Sequence, residues 1–240
     1  MGFLRIASFA LRRWGLVVAA LLVGSGSVGV ASAPGAKLAE WEMNEGPNAT
    51  TMHDSSGSNI DGKIGSAVVT DVVVDGRTGY RWPAIDHDVV DREHLVTVNR
   101  SRLNPGRGDF AVIVRFNTGH QHHQHIMQKG NSGAPGGLWK MPIKNGKVGC
   151  FFLGSRDRAA IFSRETVVDG AWHTVRCERR RTGVTVIVDG GEPKTNAKWT
   201  GKIENTWPTS IGGKWFCRPP DIHCDYYEGL IDRIVVKRLR

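Results

Sequence analysis

The sequence has few of the long 3.6-residue apolar periods that amphipathic helices require, and it has no internal repeat. It also has no recognisable nucleic-acid-binding motif, no C-x-x-C pair and no G-x-S-x-G turn. These absences argue against a nucleic-acid partner, a cysteine-rich zinc site and an α/β-hydrolase nucleophile. In contrast, 30 glycines, 10 prolines and many short β-branched runs predict an all-β sandwich. A chain of 240 residues is small enough for a single core.

Residues 1–33 have the pattern of a secretory signal peptide. Arg5, Arg12 and Arg13 precede an apolar run over 15–23, and small residues over 28–33 offer cleavage after Ala31 or Ala33. Arg12-Arg13 also suggests a twin-arginine signal, but its neighbours fit that pattern poorly, so the ordinary secretory route is favoured. Loss of these three arginines lowers the formal charge from +9 to about +6, a modest excess. With no second apolar span, we expect a secreted, non-membrane-spanning domain over residues 34–240.

Period-two alternation predicts strands along most of this domain. We expect strands at 38–46, 67–74, 89–98, 109–116, 126–130, 137–141, 147–153, 168–177, 183–188 and 226–236. In the segment 109–116, Phe110, Val112, Val114 and Phe116 share one face. This segment should therefore lie near the middle of a sheet.

Four cysteines in an exported chain predict two disulfides, which could pair in three ways. Cys150 alternates in phase with Val148 and Phe152, and Cys177 with Val175, so both should point into the core from successive strands of one sheet. This favours Cys150–Cys177 and leaves Cys217–Cys224 to close a short proline-rich loop, worth roughly 2 to 3 kcal/mol. The alternative is a metal site formed by Cys217, His223 and Cys224.

Four stretches together resemble the laminin G-like domains of the concanavalin A-like lectin/glucanase superfamily. They are the first strand ending Trp41 to Gly46, the loop Asp54–Asn59, the G-x-W-H-T-V run over 170–175 with a hairpin partner ending V-D-G, and the closing G-x-I-D strand at 229–232. The resemblance spans nearly the whole of residues 34–240. It implies a two-sheet antiparallel jelly-roll β-sandwich.

The resemblance also implies a Ca²⁺ site, because many domains of this kind hold one calcium ion with carboxylates and carbonyls. Asp232, which alternation places on the apolar side of its strand, and Asp54 match the family carboxylates, and Asn59 could add an oxygen. The competing interpretation is that Asp54 caps a turn and Asp232 accepts backbone N–H bonds.

Other residue types suggest further binding sites. Trp82, Trp139 and Trp215 are candidate sugar-stacking residues, since each lies in or near a predicted loop. His120, His122, His123 and His125 could bind a transition metal from alternate positions, although histidines in a connection are usually solvated. Basic residues cluster at Arg176, Arg179–Arg181 and Lys237–Arg240, where an acidic polymer could bind, but such runs are usually solvated faces.

The residues and the resemblance together predict a non-catalytic binding module for carbohydrate or cell-surface glycoconjugate, with calcium assistance. One alternative is a divergent glycoside hydrolase or lyase, since the superfamily contains β-glucanases with an E-x-D-x-x-E motif. The nearest pattern in the chain is Glu40, Glu42 and Glu45, which lacks the central aspartate. The other alternative is a protein-interaction domain, for which an exposed apolar patch would be the sign.

Overall fold

The computed structural model describes Met1 and residues 35–86, 89–217 and 224–240. The predicted signal segment, apart from Met1, lies outside the described residues. No helix in the described part of the chain is long and apolar enough to cross a membrane. The described residues from Gly35 to Arg240 form one compact unit.

The described residues form 16 strands and two short 3₁₀ helices. The strands are β1 (Lys37–Trp41), β2 (Thr51–Met52), β3 (Gly62–Ile64), β4 (Val69–Val74), β5 (Arg77–Trp82), β6 (Val96–Val98), β7 (Phe110–Asn117), β8 (Gln124–Gly130), β9 (Leu138–Lys144), β10 (Lys147–Leu153), β11 (Arg158–Phe162), β12 (Trp172–Arg180), β13 (Gly183–Val188), β14 (Lys194–Asn196), β15 (Thr209–Ile211) and β16 (Gly229–Arg238). The 3₁₀ helices are Arg92–His94 and Ser101–Leu103.

The strands form two antiparallel sheets that face each other across one core, which confirms the predicted jelly-roll sandwich. Sheet A has the order β14-β13-β12-β7-β16-β5-β4, and β1 pairs with β16. Sheet B has the order β11-β10-β9-β8-β15-β6-β3-β2. β7 is central in sheet A, between β12 and β16, as the alternation predicts.

Alternation decides which side chains enter the core. On β7, Phe110, Val112, Val114 and Phe116 are fully buried, and on β13 Val184, Val186 and Val188 are buried. The hairpin of β12 and β13 pairs Cys177 with Val186, so the cysteine lies in line with the core valines. The apolar faces of the two sheets thus form one continuous core.

The prediction of a strand over 89–98 is wrong for most of its length, because β6 covers only Val96–Val98. Asp91 ends the extended run: its carboxylate accepts a hydrogen bond of 2.8 Å from the backbone N–H of Glu93 and caps the helix Arg92–His94. His94 is then buried against the ring of Tyr226, with 4.9 Å between ring centroids. A local cap and a tertiary contact therefore outweigh the β propensity of the valines.

Both predicted disulfides form, Cys150–Cys177 and Cys217–Cys224. The expectation that Cys150 and Cys177 lie on successive strands of one sheet is wrong, because β10 belongs to sheet B and β12 to sheet A. Both cysteines point into the core from opposite sides, so this disulfide joins the two sheets. Disulfide bonding leaves Cys217 and Cys224 unavailable for the alternative metal site, and His223 lies outside the described residues.

Candidate functional site

A polar cavity of about 290 Å³ opens on sheet A beside Asp232. It forms because β16 changes partner: Gly229–Ile231 pair with β5, whereas Ile234 and the residues after it pair with β1. The register against β7 shifts between Ile231 and Arg233, so Asp232 is the extra residue of a β-bulge. The gap between β5 and β1 is the cavity. Its lining comprises Glu42, Asn44, Arg77, Thr78, Asp232 and Arg233.

Asp232 is buried and is held by two arginines. Its Oδ2 accepts hydrogen bonds from Arg77 Nε at 2.8 Å and from Arg115 Nη1 at 2.7 Å. Its Oδ1 is also buried and has no hydrogen-bond partner among the described residues. The guanidinium of Arg115 in turn lies 4.7 Å above the ring of Trp172. The buried carboxylate thus has cationic partners on one oxygen and a buried acceptor without a hydrogen-bond partner among the described residues on the other.

Arg233 connects the cavity to a second carboxylate. Its Nε donates to Glu40 Oε1 at 3.1 Å, its Nη2 contacts the same oxygen, and Lys37 pairs with the other oxygen of Glu40. Burial raises the pKa of Glu40, but the hydrogen bonds and charges of Lys37 and Arg233 outweigh it, so this pKa lies below its ordinary value. About half of the Arg77 and Arg233 side chains remains exposed, so both can still meet a ligand.

The predicted calcium residues have other partners here. Asp54 accepts three backbone N–H bonds of 2.9 Å, from Glu40, Ser56 and Ile60. Burial raises the pKa of Asp54, but these hydrogen bonds outweigh the effect of burial, so this pKa lies below its ordinary value. Asn59 takes a left-handed conformation in the turn before Ile60, with a φ of 55°. In the described ranges, the clusters of three or more metal-binding side chains include neither Asp54 nor Asp232.

Asp54 therefore caps a turn, as the interpretation that competes with calcium binding predicts. For Asp232 that interpretation predicts backbone N–H partners, whereas the carboxylate accepts from two arginine side chains. Calcium binding by Asp54, Asn59 and Asp232 stays a prediction.

The tryptophan predictions divide by burial. The expectation of an exposed ring is wrong for Trp82 and Trp139, which are 1% and 0% exposed. Trp82 packs edge-on against Tyr227 at 5.9 Å, and Trp139 packs against Phe110 at 5.5 Å between ring centroids. Both rings are large enough to complete the core from the ends of their strands. Trp215 is partly exposed, and the guanidinium of Arg92 lies 4.4 Å from its ring centroid.

The basic cluster is largely engaged within the fold. Arg179 is fully buried, where its guanidinium donates to Gly108 O and Thr200 Oγ1 at 2.8 Å, and also contacts Gly201 O. It lies 4.5 Å from the ring centroid of Trp199. Burial lowers the pKa of Arg179 to about 10. A solvated face is therefore the wrong interpretation for Arg179, although β12 alternation correctly puts it in line with Cys177.

The glutamates that approximate a glucanase motif are mostly committed elsewhere. Glu40 is buried in its ion pairs, and Glu45 accepts from the backbone N–H of His53 at 2.6 Å and from the Tyr80 hydroxyl. Glu42 is exposed and lines the cavity. This arrangement offers one solvent-facing carboxylate rather than an acid and nucleophile pair.

His120, His122 and His123 lie in the connection from β7 to β8, and His125 lies in β8. The four histidines separate into two clusters. His120 and His122 lie with Glu228, and His123 and His125 lie with Asp225. His125 is fully buried, which the solvated interpretation does not anticipate. Each cluster contains two histidines at alternate positions, His120 with His122 and His123 with His125, as the sequence pattern predicts.

Residues 126–237 match the family model of the laminin G domain. This segment of the chain is laminin G-like. The matched segment runs from β8 to β16 and includes both disulfides and Asp232. No curated protein matches the chain.

Solved structures share the fold of this chain at low sequence identity. The binding domain of Paraclostridial Mosquitocidal Protein 1 is 11% identical, with a TM-score of 0.59, over 85% of this chain and 48% of that one. The binding domain of Botulinum neurotoxin DC, solved in complex with rat synaptotagmin II, is 12% identical, with a TM-score of 0.59, over 85% and 49%. The same domain in complex with SialylT is 11% identical, with a TM-score of 0.56, over 85% and 48%. The chain spans about half the length of these binding domains.

The residues that the sequence analysis missed in this site are Arg77, Arg115 and Arg233, and it named Glu42 only as part of a glucanase-like pattern. The available signal was Asp232 itself, because a buried carboxylate requires a cationic or N–H partner. The prediction that Asp232 lies on the apolar side of its strand is wrong, because the β-bulge turns it to the outer face of sheet A, where Arg77 and Arg115 lie. Nothing local in the sequence identifies that partner, since Arg77 and Arg115 lie more than one hundred residues before Asp232.

Proposed function

We propose that the laminin G-like domain is a non-catalytic binding module for carbohydrate or glycoconjugate, and that the cavity beside Asp232 holds the sugar. The observation that carries this proposal is the buried Asp232 Oδ1, an acceptor without a partner among the described residues, in a cavity flanked by two half-exposed arginines. A sugar hydroxyl could donate to this oxygen, and satisfying a buried acceptor is favourable.

The lining of the cavity suits saccharide chemistry. Arg77 and Arg233 supply N–H donors, Glu42 supplies acceptors, and Asn44 and Thr78 supply both. Guanidinium groups bind carboxylate or sulfate in a bidentate way, so we expect a sugar that carries an acidic group to bind more tightly than a neutral one. Structures of the same fold have been solved with SialylT and with synaptotagmin II, a glycan and a protein, and both classes are consistent with a binding role.

Two accompanying features belong to the same proposal. Two disulfides and the pattern of residues 1–33 favour an exported protein. Calcium would assist binding if a ligand oxygen completed the coordination of Asp54, Asn59 or Asp232, since Ca²⁺ takes six to eight oxygens.

The experiment is a glycan array of neutral, carboxylated and sulfated saccharides, read with the oxidised chain in Ca²⁺ and again in chelator. We expect selective binding of acidic glycans in at least one condition. Loss of binding in chelator would support the calcium proposal, and equal binding in both would contradict it. Absence of binding in both conditions would contradict the carbohydrate proposal.

Protein interaction is the second candidate function, because the edge strand β4 exposes apolar side chains. Val69 is 39% exposed and Val73 is 66% exposed. An edge strand with exposed valines can pair with an extended segment of another chain. A chain that ignores every glycan but captures a peptide along β4 would favour this function.

A further inference from the structure

The cluster of His120, His122 and Glu228 has the composition and closeness of a metal site. One ligand atom from each of these residues lies within 4.8 Å of the other two. His120 Nε2 is 2.9 Å from Glu228 Oε1, and the two imidazole centroids are 5.8 Å apart. The three side chains lie at the rim, where the connection from β7 to β8 meets the start of β16.

The backbone that carries these side chains is fixed by Gln124 and Thr118, both of which are buried. Gln124 Nε2 donates to His120 O at 2.9 Å, and its Oε1 accepts from the Glu228 N–H at 3.1 Å. Thr118 Oγ1 donates to Glu228 O at 2.6 Å and accepts from the His120 N–H at 3.2 Å. Two side chains therefore join both ligand-bearing segments, which positions the donors before any ion arrives.

The neighbouring cluster of His123, His125 and Asp225 has the same residue types but a different charge environment. Lys140 Nζ lies 3.2 Å from His125 Nε2, and Lys214 Nζ lies 2.5 Å from Asp225 Oδ2. Two ammonium groups on the donor atoms oppose a divalent cation. In the first cluster, by contrast, the carboxylate of Glu228 pairs with the imidazole of His120, which is itself a candidate ligand. The first cluster is thus the one suited to a metal ion.

Imidazole nitrogens with one carboxylate are a donor set that zinc and its neighbouring transition metals prefer. Three protein ligands leave a fourth position for water or for a ligand. A cavity of about 280 Å³ adjoins the cluster, and its lining includes His120, Glu228, Arg81 and Asn117. A ligand in that cavity could reach the open position.

We propose that His120, His122 and Glu228 bind a divalent transition-metal ion. The site is separate from the Asp232 cavity and from the calcium residues, so it stands or falls independently of the proposed carbohydrate function.

The test is titration of the full oxidised chain, free of any histidine tag, with Zn²⁺ by calorimetry, and with Co²⁺ by visible absorption. We expect one Zn²⁺ per chain and a Co²⁺ spectrum of low coordination number. Removing one ligand should lower the Zn²⁺ affinity by roughly 10–100-fold or more, because removing even an outer-shell partner typically costs that much. The variants that remove one ligand each are His120→Ala, His122→Ala and Glu228→Gln. Ca²⁺ in excess should not compete, because it prefers oxygen ligands.

His123→Ala is the matched control, since His123 is an exposed histidine three residues after His120 and belongs to the other cluster. It should leave Zn²⁺ affinity unchanged. Circular dichroism of each metal-free variant should equal that of the unaltered chain, and Glu228→Gln keeps the shape of the side chain should an alanine variant misfold. No Zn²⁺ binding, or loss of binding in His123→Ala but not in His120→Ala, would overturn the proposal.

Discussion

The Cys150–Cys177 disulfide should stabilise the protein more than the Cys217–Cys224 disulfide, because it closes a longer loop and joins the two sheets. The perturbation is the double substitution Cys150→Ala and Cys177→Ala, compared with Cys217→Ala and Cys224→Ala. The paired cysteines are 27 residues apart in the first disulfide and 7 apart in the second. On the chain-entropy relation these separations correspond to about 3.6 and 2.5 kcal/mol of folding free energy.

Burial increases the difference. Cys150 and Cys177 are 0% and 1% exposed in the main core, so removing their sulfurs also leaves a small cavity, worth roughly 1 kcal/mol or more. We therefore expect a loss of about 5 kcal/mol for the inter-sheet pair, which lowers the unfolding temperature by roughly 10–20 °C in a domain of this size. The loop pair should cost about 2.5 kcal/mol, or roughly 5–10 °C.

The assay is equilibrium unfolding in guanidinium chloride, followed by tryptophan fluorescence, with thermal unfolding by circular dichroism alongside it. Both double substitutions are made in the same sequence, so each is the control for the other. A loss for the inter-sheet pair that is equal to or smaller than the loss for the loop pair would refute this reasoning.

Three further stability predictions follow from buried or paired charges. Arg179→Met should lower the free energy of unfolding, measured in denaturant, by at least about 3 kcal/mol, because Gly108 O and Gly201 O lose a charged donor. The control Arg181→Met, at an exposed arginine, should change it by less than about 0.5 kcal/mol. Asp232→Asn should cost about 2–4 kcal/mol in the same assay, at the lower end for buried pairs because Arg77 is half exposed, whereas Glu42→Gln beside it should be nearly neutral. Burial lowers the pKa of His173, but its hydrogen bonds to the carboxylates of Asp189 and Asp169, and the charges of those carboxylates, outweigh it, so the folded-state pKa lies above the ordinary value near 6.5. The protonated His173 therefore stabilises the fold fully below about pH 6.5, and this stabilisation is lost as pH rises through the folded-state pKa. The difference in free energy of unfolding between the unaltered chain and His173→Gln should shrink over that pH range. A difference that grows with pH would contradict the prediction.

The fold was predictable because period-two alternation is local. The alternation of four apolar residues in β7 indicates its buried face. Cys150 and Cys177 alternate in phase with neighbouring valines, which indicates that both cysteines point into the core. Alternation reports only that a side chain points inward and not which sheet it comes from. The pairing could therefore be predicted while its position across the core could not.

The site was less predictable because its contacts join distant parts of the chain. Asp232 signals a buried charge, but its partners Arg77 and Arg115 come from two other strands. Trp82 and Trp139 look like loop residues in sequence because each lies at the end of a strand, and only tertiary packing shows that they complete the core. Arg179 was similarly hidden within a basic run.

Binding of a saccharide in the cavity beside Asp232 should depend on Arg77, which lines that cavity. The affinity of the strongest acidic glycan should be measured by calorimetry for the unaltered chain, for Arg77→Ala and for Arg81→Ala. Arg81 is a matched control, since it is exposed on the same strand β5 and lines a different cavity. We predict that Arg77→Ala weakens binding about tenfold or more, as loss of a charge-assisted hydrogen bond should, while Arg81→Ala leaves it unchanged. Equal affinity in all three proteins would contradict the claim.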